Sequence, residues 1–220
     1  MNRDWLAFWS RQNDPRYGTD EASFVQNHGR EISILLGEPA GKRVLELGCG
    51  SGTLYQALGF DRSETYRGVD FSQKMLDAFH MRHSGVQTLC ADASRYEDSF
   101  QYDIVFSNQV AQYFDRHMLQ QHIANARAML APGGRLFLCS IPWKAARSTY
   151  FIQPADDYKR RVRGLCLLGL SLLGIDRLGH WYSFREIMRI ARNNALTARF
   201  YGCMHYSYRF HAVLDADSNS

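Results

Sequence analysis

Paired cysteines are missing from this 220-residue chain. Its five cysteines (Cys49, Cys90, Cys139, Cys166 and Cys203) are odd in number, widely spaced and without a C-x-x-C pair. That spacing argues against a zinc ribbon or a secreted disulfide scaffold, so reduced thiols and a cytoplasmic location are the expectation. Charge of one sign is scarce too. With 26 basic against 22 acidic residues, the formal surplus of +4 is too small to mark a nucleic-acid binder. The longest apolar stretch, LCLLGLSLLGI over residues 165–175, is about half of what a membrane-spanning helix needs. Near the start, the short apolar run from Trp5 to Trp9 sits among Arg3, Asp4, Arg11 and Asp14, which is not the shape of a signal peptide. Internal repeats and low-complexity linkers are absent as well. What remains has globular proportions, 45% hydrophobic and 22% charged, and suffices for one core without disulfide staples.

Short, nearly continuous apolar runs recur at residues 43–47, 66–69, 86–90, 104–106 and 135–139. Runs of this kind belong to parallel strands buried on both faces. Helical patterns lie between them. Leu119, Ile123, Ala126 and Leu130 recur at intervals of four, three and four, one face of a helix over 116–130 that stops at the turn signal Pro132-Gly133-Gly134. Ser72 is placed to cap a helix carrying Met75, Leu76 and Phe79. This alternation predicts a doubly wound α/β fold with right-handed crossovers. Residues 41–142 form that core. Residues 1–40 read as an aromatic cap (Trp5, Phe8, Trp9, Tyr17) followed by a helix over 21–36. Residues 143–180 interrupt the rhythm as an inserted helical lid. Residues 181–214 resume it with a helix over 183–193 and an antiparallel strand pair, 196–201 and 205–214, and 215–220 form a tail.

The first strand runs into Glu46-Leu-Gly-Cys-Gly-Ser-Gly52. Three glycines at alternate positions let the backbone turn tightly and approach a ligand, at the strand end where doubly wound sheets bind ligands, before an expected helix. A dinucleotide loop would require glycine where Thr53 stands. Glu46, two residues before Gly48, suits a ligand carrying positive charge better than a pyrophosphate.

This segment resembles motif I of the class I S-adenosylmethionine-dependent methyltransferases. Four further segments follow in that family's order: Gly68-Val-Asp-Phe-Ser72, Cys90-Ala-Asp-Ala93, Tyr102-Asp-Ile-Val-Phe-Ser-Asn108 and Leu130-Ala-Pro-Gly-Gly-Arg-Leu-Phe137. The resemblance covers roughly residues 40–140 and implies a mainly parallel seven-stranded sheet. It also implies the cofactor S-adenosylmethionine, released as S-adenosylhomocysteine. In that reading Asp70 accepts from the ribose hydroxyls, Phe71 and Met75 flank the adenine, and Asp92 with Ala93 meets its exocyclic amine. Gly48, Cys49 and Gly50 make room for the methionine portion, Cys49 as a small loop filler. Glu46 faces the ammonium group, and Asn108 closes the site at the fourth strand's exit.

The family fixes no catalytic side chain, because in-line methyl transfer needs no covalent enzyme intermediate. Gln112, Tyr113, His180 and Tyr206 are the candidate acceptor-binding residues, and His180 and His205 the candidate bases. His80, His83, His117 and His122 fall on or near helices, and no metal is expected. The fourth-strand exit lacks an N-P-P-Y signature, so a nucleic-acid acceptor is not expected. The expected acceptor is a small molecule, a sugar or a lipid-like compound, methylated on oxygen first and nitrogen second. A cofactor-binding subunit without turnover is the alternative from another class, and an NAD-type oxidoreductase is a further one. Lys159-Arg-Arg-Val-Arg163 precedes the apolar run and Arg177 follows it, so 159–177 reads as an acceptor lid, a peripheral membrane contact or a packed helix.

Overall fold

Neighbouring residues of the central strands send their side chains to opposite faces of the sheet, and both faces are covered. The computed structural model describes residues 24–152, 158–175 and 178–216. Within it Leu45, Val105 and Leu136 enter one apolar cluster, while Val44, Ile104 and Phe137 enter the other. This two-sided burial is why the strand sequences read as unbroken apolar runs.

Among the described residues seven strands form one sheet: β1 (Arg43–Leu47), β2 (Thr65–Asp70), β3 (Thr88–Cys90), β4 (Tyr102–Asn108), β5 (Leu130–Pro142), β6 (Leu196–Gly202) and β7 (Arg209–Ala216). Their order is β3-β2-β1-β4-β5-β7-β6. The first five run parallel, and β7 is antiparallel to both β5 and β6. On one face α1 (Arg30–Leu36) contributes Ile32 and Leu36, and α2 (Gln73–Arg82) contributes Leu76 and Phe79. The other face is covered by Leu119, Ile123 and Ala126 of α3 (Arg116–Ala128). Helix α6, at Phe184–Asn193, adds Ile187 and Ile190 there. Asp115 starts α3 by accepting from the Met118 N–H at 2.9 Å. Ser183 and Glu186 form a reciprocal capping box at α6. Ser72 occupies the N-cap position of α2 without a side-chain capping bond.

Four expectations change. Pro132-Gly133-Gly134 is not a turn before the fifth strand but a bulge inside it. Leu130 already pairs with Tyr102, and the register shifts before Ile104 meets Arg135. Gly133 (φ +75°) supplies the left-handed residue the bulge requires. The last strand begins at Arg209 rather than residue 205, because Glu31 accepts from the Met204 and His205 N–H groups and holds that segment as a turn. After Gly52 the chain makes a series of turns, with one α-type bond from Leu58 N–H to Leu54 C=O, instead of a regular helix. The N-terminal helix is π-type over Phe24–Gly29 and α-helical only in α1.

The insertion contains α4 (Arg147–Phe151) and α5 (Tyr158–Leu172). A Cβ on Gly164 would stand 2.3 Å from the Phe151 carbonyl, so glycine lets the two helices touch. Arg147 donates to the Ser171 carbonyl and stacks over Trp181. Leu165, Leu170 and Leu172 of α5 are exposed (56%, 42% and 68%), whereas Leu167 and Leu168 are half-buried. No helix of the described residues is long and apolar enough to cross a membrane. The aromatic cap residues Trp5, Phe8, Trp9 and Tyr17 lie outside the described residues.

Candidate active site

β1 and β4 are neighbours whose connections leave in opposite directions along the sheet, which opens a crevice beyond their carboxyl ends. The residues at that edge line one cavity: Glu46 near the end of β1 with Gly48 to Gly50 after it, Asp70 at the end of β2 with Phe71 after it, Asp92 and Ala93 after β3, and Asn108 at the end of β4. Met75 of α2 completes the side next to Phe71. All ten residues expected at a cofactor site are thus brought together.

The glycine loop has a separate steric reason at each of two positions. Gly48 (φ +85°) passes so close to Val110 that a Cβ would lie 2.4 Å from its methyl carbon. Gly50 (φ +53°) has open space where a Cβ would be, leaving bare backbone against the cavity. The Gly48 and Cys49 N–H groups donate to the Val69 carbonyl and tie the loop to β2. Cys49 packs against Gly68, and burial pushes its thiol well above the ordinary range, which disfavours the thiolate.

Asp70 is the hinge of the site. One carboxylate oxygen accepts from the Gly50 N–H and the other from the Ser72 N–H, both at 2.9 Å. Burial raises its pKa, and these two backbone donors oppose the rise. Glu46 lies deeper. Its carboxyl accepts from the Tyr66 hydroxyl at 2.6 Å, yet burial, reinforced by the charge of Asp70, raises its pKa to about 8. A group in that state is receptive to a cation that can restore its charge.

Asp92 forms a turn in which Oδ1 accepts from the Ser94 N–H at 2.8 Å and hydroxyl at 2.7 Å. Beneath it, His122 is fully buried. Its Nδ1–H donates to the Ala93 carbonyl at 2.8 Å, and Nε2 lies 3.3 Å from the Ser107 hydroxyl. Burial lowers its pKa to about 4, so it is a neutral brace between β4 and the turn after β3.

The expected acceptor residues divide. Tyr113 and Gln109 line the cavity, joined by Val110 and Phe114, for which the sequence carries no signal. Gln109 is left-handed (φ +58°), and this turn after β4 is what brings Val110 against Gly48. Gln112 is turned away, because its side-chain oxygen is held by Arg209 at 2.7 Å. His180 stands behind it, donating from its backbone to the Gln112 carbonyl. His205 is drawn off by its backbone bond to Glu31 and stacks edge-on against Tyr206 at 4.3 Å. Tyr206 reaches the rim only through its hydrogen bond to Gln109. Neither candidate base, His180 or His205, lines the cavity.

A buried polar layer behind Asn108 was not anticipated. His28 Nε2 lies 3.2 Å from Asn108 Oδ1 and 2.8 Å from the Ser140 hydroxyl. Arg209 donates to the Ser140 carbonyl at 2.6 Å. These partners come from segments with no local motif, and the left-handed turn at Ser140 (φ +58°) has no sequence signal either.

Comparison with known proteins agrees with this geometry. Residues 44–134 match a methyltransferase-domain family model. The ubiquinone biosynthesis O-methyltransferase of Coxiella burnetii is 32% identical over 176 residues, covering 70% of this chain and 73% of the relative. Ribosomal RNA small subunit methyltransferase C of Chromohalobacter salexigens is 33% identical over 148 residues, covering 60% of this chain but only 43% of the relative. Among solved structures, the N-methyltransferase NodS from Bradyrhizobium japonicum, in complex with S-adenosylhomocysteine, superimposes with a TM-score of 0.65 at 18% identity. That match covers 97% of each chain. Magnesium protoporphyrin IX methyltransferase from Synechocystis, with bound S-adenosylmethionine, gives 0.62 at 17% identity, covering 98% of this chain and 93% of the other. The chain belongs to the class I S-adenosylmethionine-dependent methyltransferases.

Proposed function

We propose that the cavity binds S-adenosylmethionine and that the protein methylates a hydroxyl group of a small, sugar or lipid-like acceptor, releasing S-adenosylhomocysteine and the hydroxyl proton, which passes to solvent. The observation that carries this reading is the pairing of two buried carboxyls, Glu46 and Asp70, with the open space left by the missing side chain of Gly50 in one cavity. The cofactor's chemistry fits those groups. A cationic methionine end matches a Glu46 that regains its charge on meeting an ammonium. A vicinal diol matches Asp70, whose two oxygens are already oriented by the Gly50 and Ser72 N–H groups. Phe71 and Met75 provide apolar contact for a planar ring, and Asp92 Oδ2 can accept from an amine beside it.

When bound there, S-adenosylmethionine supplies an activated methyl group on a sulfonium with a good leaving group. The chain then has to hold the acceptor in line and exclude water, a contribution worth up to roughly 7–11 kcal/mol. Asn108, Tyr113 and Phe114 form the wall suited to that task. Asn108 is itself fixed from behind by His28. The name of the Coxiella relative supports oxygen as the accepting atom. The exposed Leu165, Leu170 and Leu172 of α5, next to the basic segment 159–163, support a lipid-like acceptor presented at an anionic membrane surface.

The test is transfer of an isotope-labelled methyl group from S-adenosylmethionine to panels of hydroxyl-bearing lipids, glycans and small metabolites, with the site of labelling read by mass spectrometry. Label on a lipid or glycan oxygen is the expected result. Label confined to nitrogen, or none in any panel, would contradict the acceptor assignment.

A further inference from the structure

Three potential metal ligands meet behind Asn108: Nδ1 of His28, Oε2 of Glu31 and Sγ of Cys203. His28 and Glu31 are one helical turn apart, whereas Cys203 arrives from the turn between β6 and β7. Glu31 Oε2 lies 3.7 Å from His28 Nδ1 and 3.7 Å from Cys203 Sγ, and all three atoms fall within 4.8 Å of one another. The N···O separation is longer than an ordinary N–H···O bond. It matches the spacing of ligands on a shared tetrahedral zinc, where metal–ligand bonds of about 2.0–2.3 Å put the donor atoms roughly 3.3–3.7 Å apart.

The surroundings are built to keep these donors in place. His28 is fully buried and Cys203 is 6% exposed. The other ring nitrogen of His28 lies at hydrogen-bond distance from Ser140 Oγ and Asn108 Oδ1, the kind of outer bond that orients a ligating imidazole. Glu31 Oε1 is held by the Met204 N–H at 2.5 Å and lies 3.3 Å from His211 Nε2, while Oε2 accepts from the His205 N–H at 3.2 Å and faces the histidine and the thiol. Neighbouring Arg209 directs its guanidinium to Ser140 and Gln112.

We propose that His28, Glu31 and Cys203 form a zinc site, with water in the fourth position. The mixed nitrogen, oxygen and sulfur set favours zinc over magnesium or calcium, which take oxygen ligands. On binding, the Cys203 S–H proton leaves to solvent and an S–Zn bond forms. The thiolate and the Glu31 carboxylate then balance the two positive charges, so the buried unit is neutral. Such a site fastens the helical segment 24–36 to the 203–208 turn. Through His28 it also fixes Asn108 at the cavity wall. It does not depend on the cofactor reading.

The test uses the full chain, stripped with a chelator and titrated first with Co²⁺ and then with Zn²⁺. One equivalent of Co²⁺ is expected to give a near-ultraviolet thiolate charge-transfer band that Zn²⁺ removes. Cys203→Ser should abolish the band and weaken Zn²⁺ binding by more than about 100-fold. A Cys90→Ser/Cys166→Ser variant, lacking the two exposed thiols, should retain both. If Cys203→Ser proves unfolded by circular dichroism, His28→Gln serves instead and should weaken Zn²⁺ binding in a folded protein. The absence of saturable binding, loss of the band in the Cys90/Cys166 variant, or wild-type affinity in Cys203→Ser or His28→Gln overturns the proposal.

Discussion

A carboxyl group held away from water stays neutral unless something pays back its lost solvation, and Glu46 and Asp70 meet that cost differently. Asp70 keeps two backbone donors. Removing it in Asp70→Ala should weaken S-adenosylmethionine binding by at least about 100-fold, since each hydrogen bond to a charged group contributes about 1.5–3 kcal/mol. The far-ultraviolet circular dichroism should stay native; normal binding by this variant would contradict the ribose placement. Glu46, with its pKa near 8, is mostly protonated at pH 7, and an arriving ammonium shifts it toward the carboxylate. Cofactor binding at pH 7 should therefore release close to one proton, and affinity should rise with pH between about 6 and 8. Calorimetry in buffers of different ionisation enthalpy measures this directly, and Glu46→Gln should remove the release. His122 works in the opposite sense. Its folded pKa of about 4 lies below the unfolded value of 6.5, so the unfolded chain gains a proton first as pH falls. Stability should thus hold above pH 6.5 and decline toward pH 4 by up to about 1.4 kcal/mol per pH unit from this residue. Urea midpoints for wild type and His122→Gln check it, the variant being expected to show the shallower decline. The ten cavity residues were legible because the resemblance to the family's motif segments implied them, and most of them lie within two or three positions of a strand's end. His28 was not, since its partners Asn108 and Ser140 are 80 and 112 positions away.

At the scale of elements, most strand and helix positions survived, whereas boundaries set by pairing with distant residues did not. β1 spans the expected 43–47, and α3 buries the expected Leu119, Ile123 and Ala126. That helix ends at Ala128, however, and Leu130, expected on the same helix face, opens β5 because it pairs with Tyr102. The bulge at Gly133 and the late start of β7 arise from register with Tyr102 and from the grip of Glu31, which no local spacing encodes. The end of helix α5 departs from the usual rule, since Leu172 and the residue after the helix, Leu173, are 68% and 78% exposed. Replacing both with Gln should change stability by no more than about 0.5 kcal/mol per site. The same change should abolish co-sedimentation with anionic vesicles while methyl transfer to a water-soluble acceptor persists. Unchanged vesicle binding would leave the membrane-surface reading without support.

For the whole molecule, the parallel order of the sheet places four strand ends at one crevice, and the β7–β6 hairpin closes the far side of the sheet. The account rests on that crevice being a site for a sulfonium cofactor rather than a dinucleotide, which Thr53 and Glu46 favour. Calorimetric titration of the purified protein with S-adenosylmethionine, S-adenosylhomocysteine and NAD tests this most directly. The account predicts roughly micromolar binding of both sulfur ligands and none of NAD. Binding of NAD, or silence from both sulfur ligands, would contradict it.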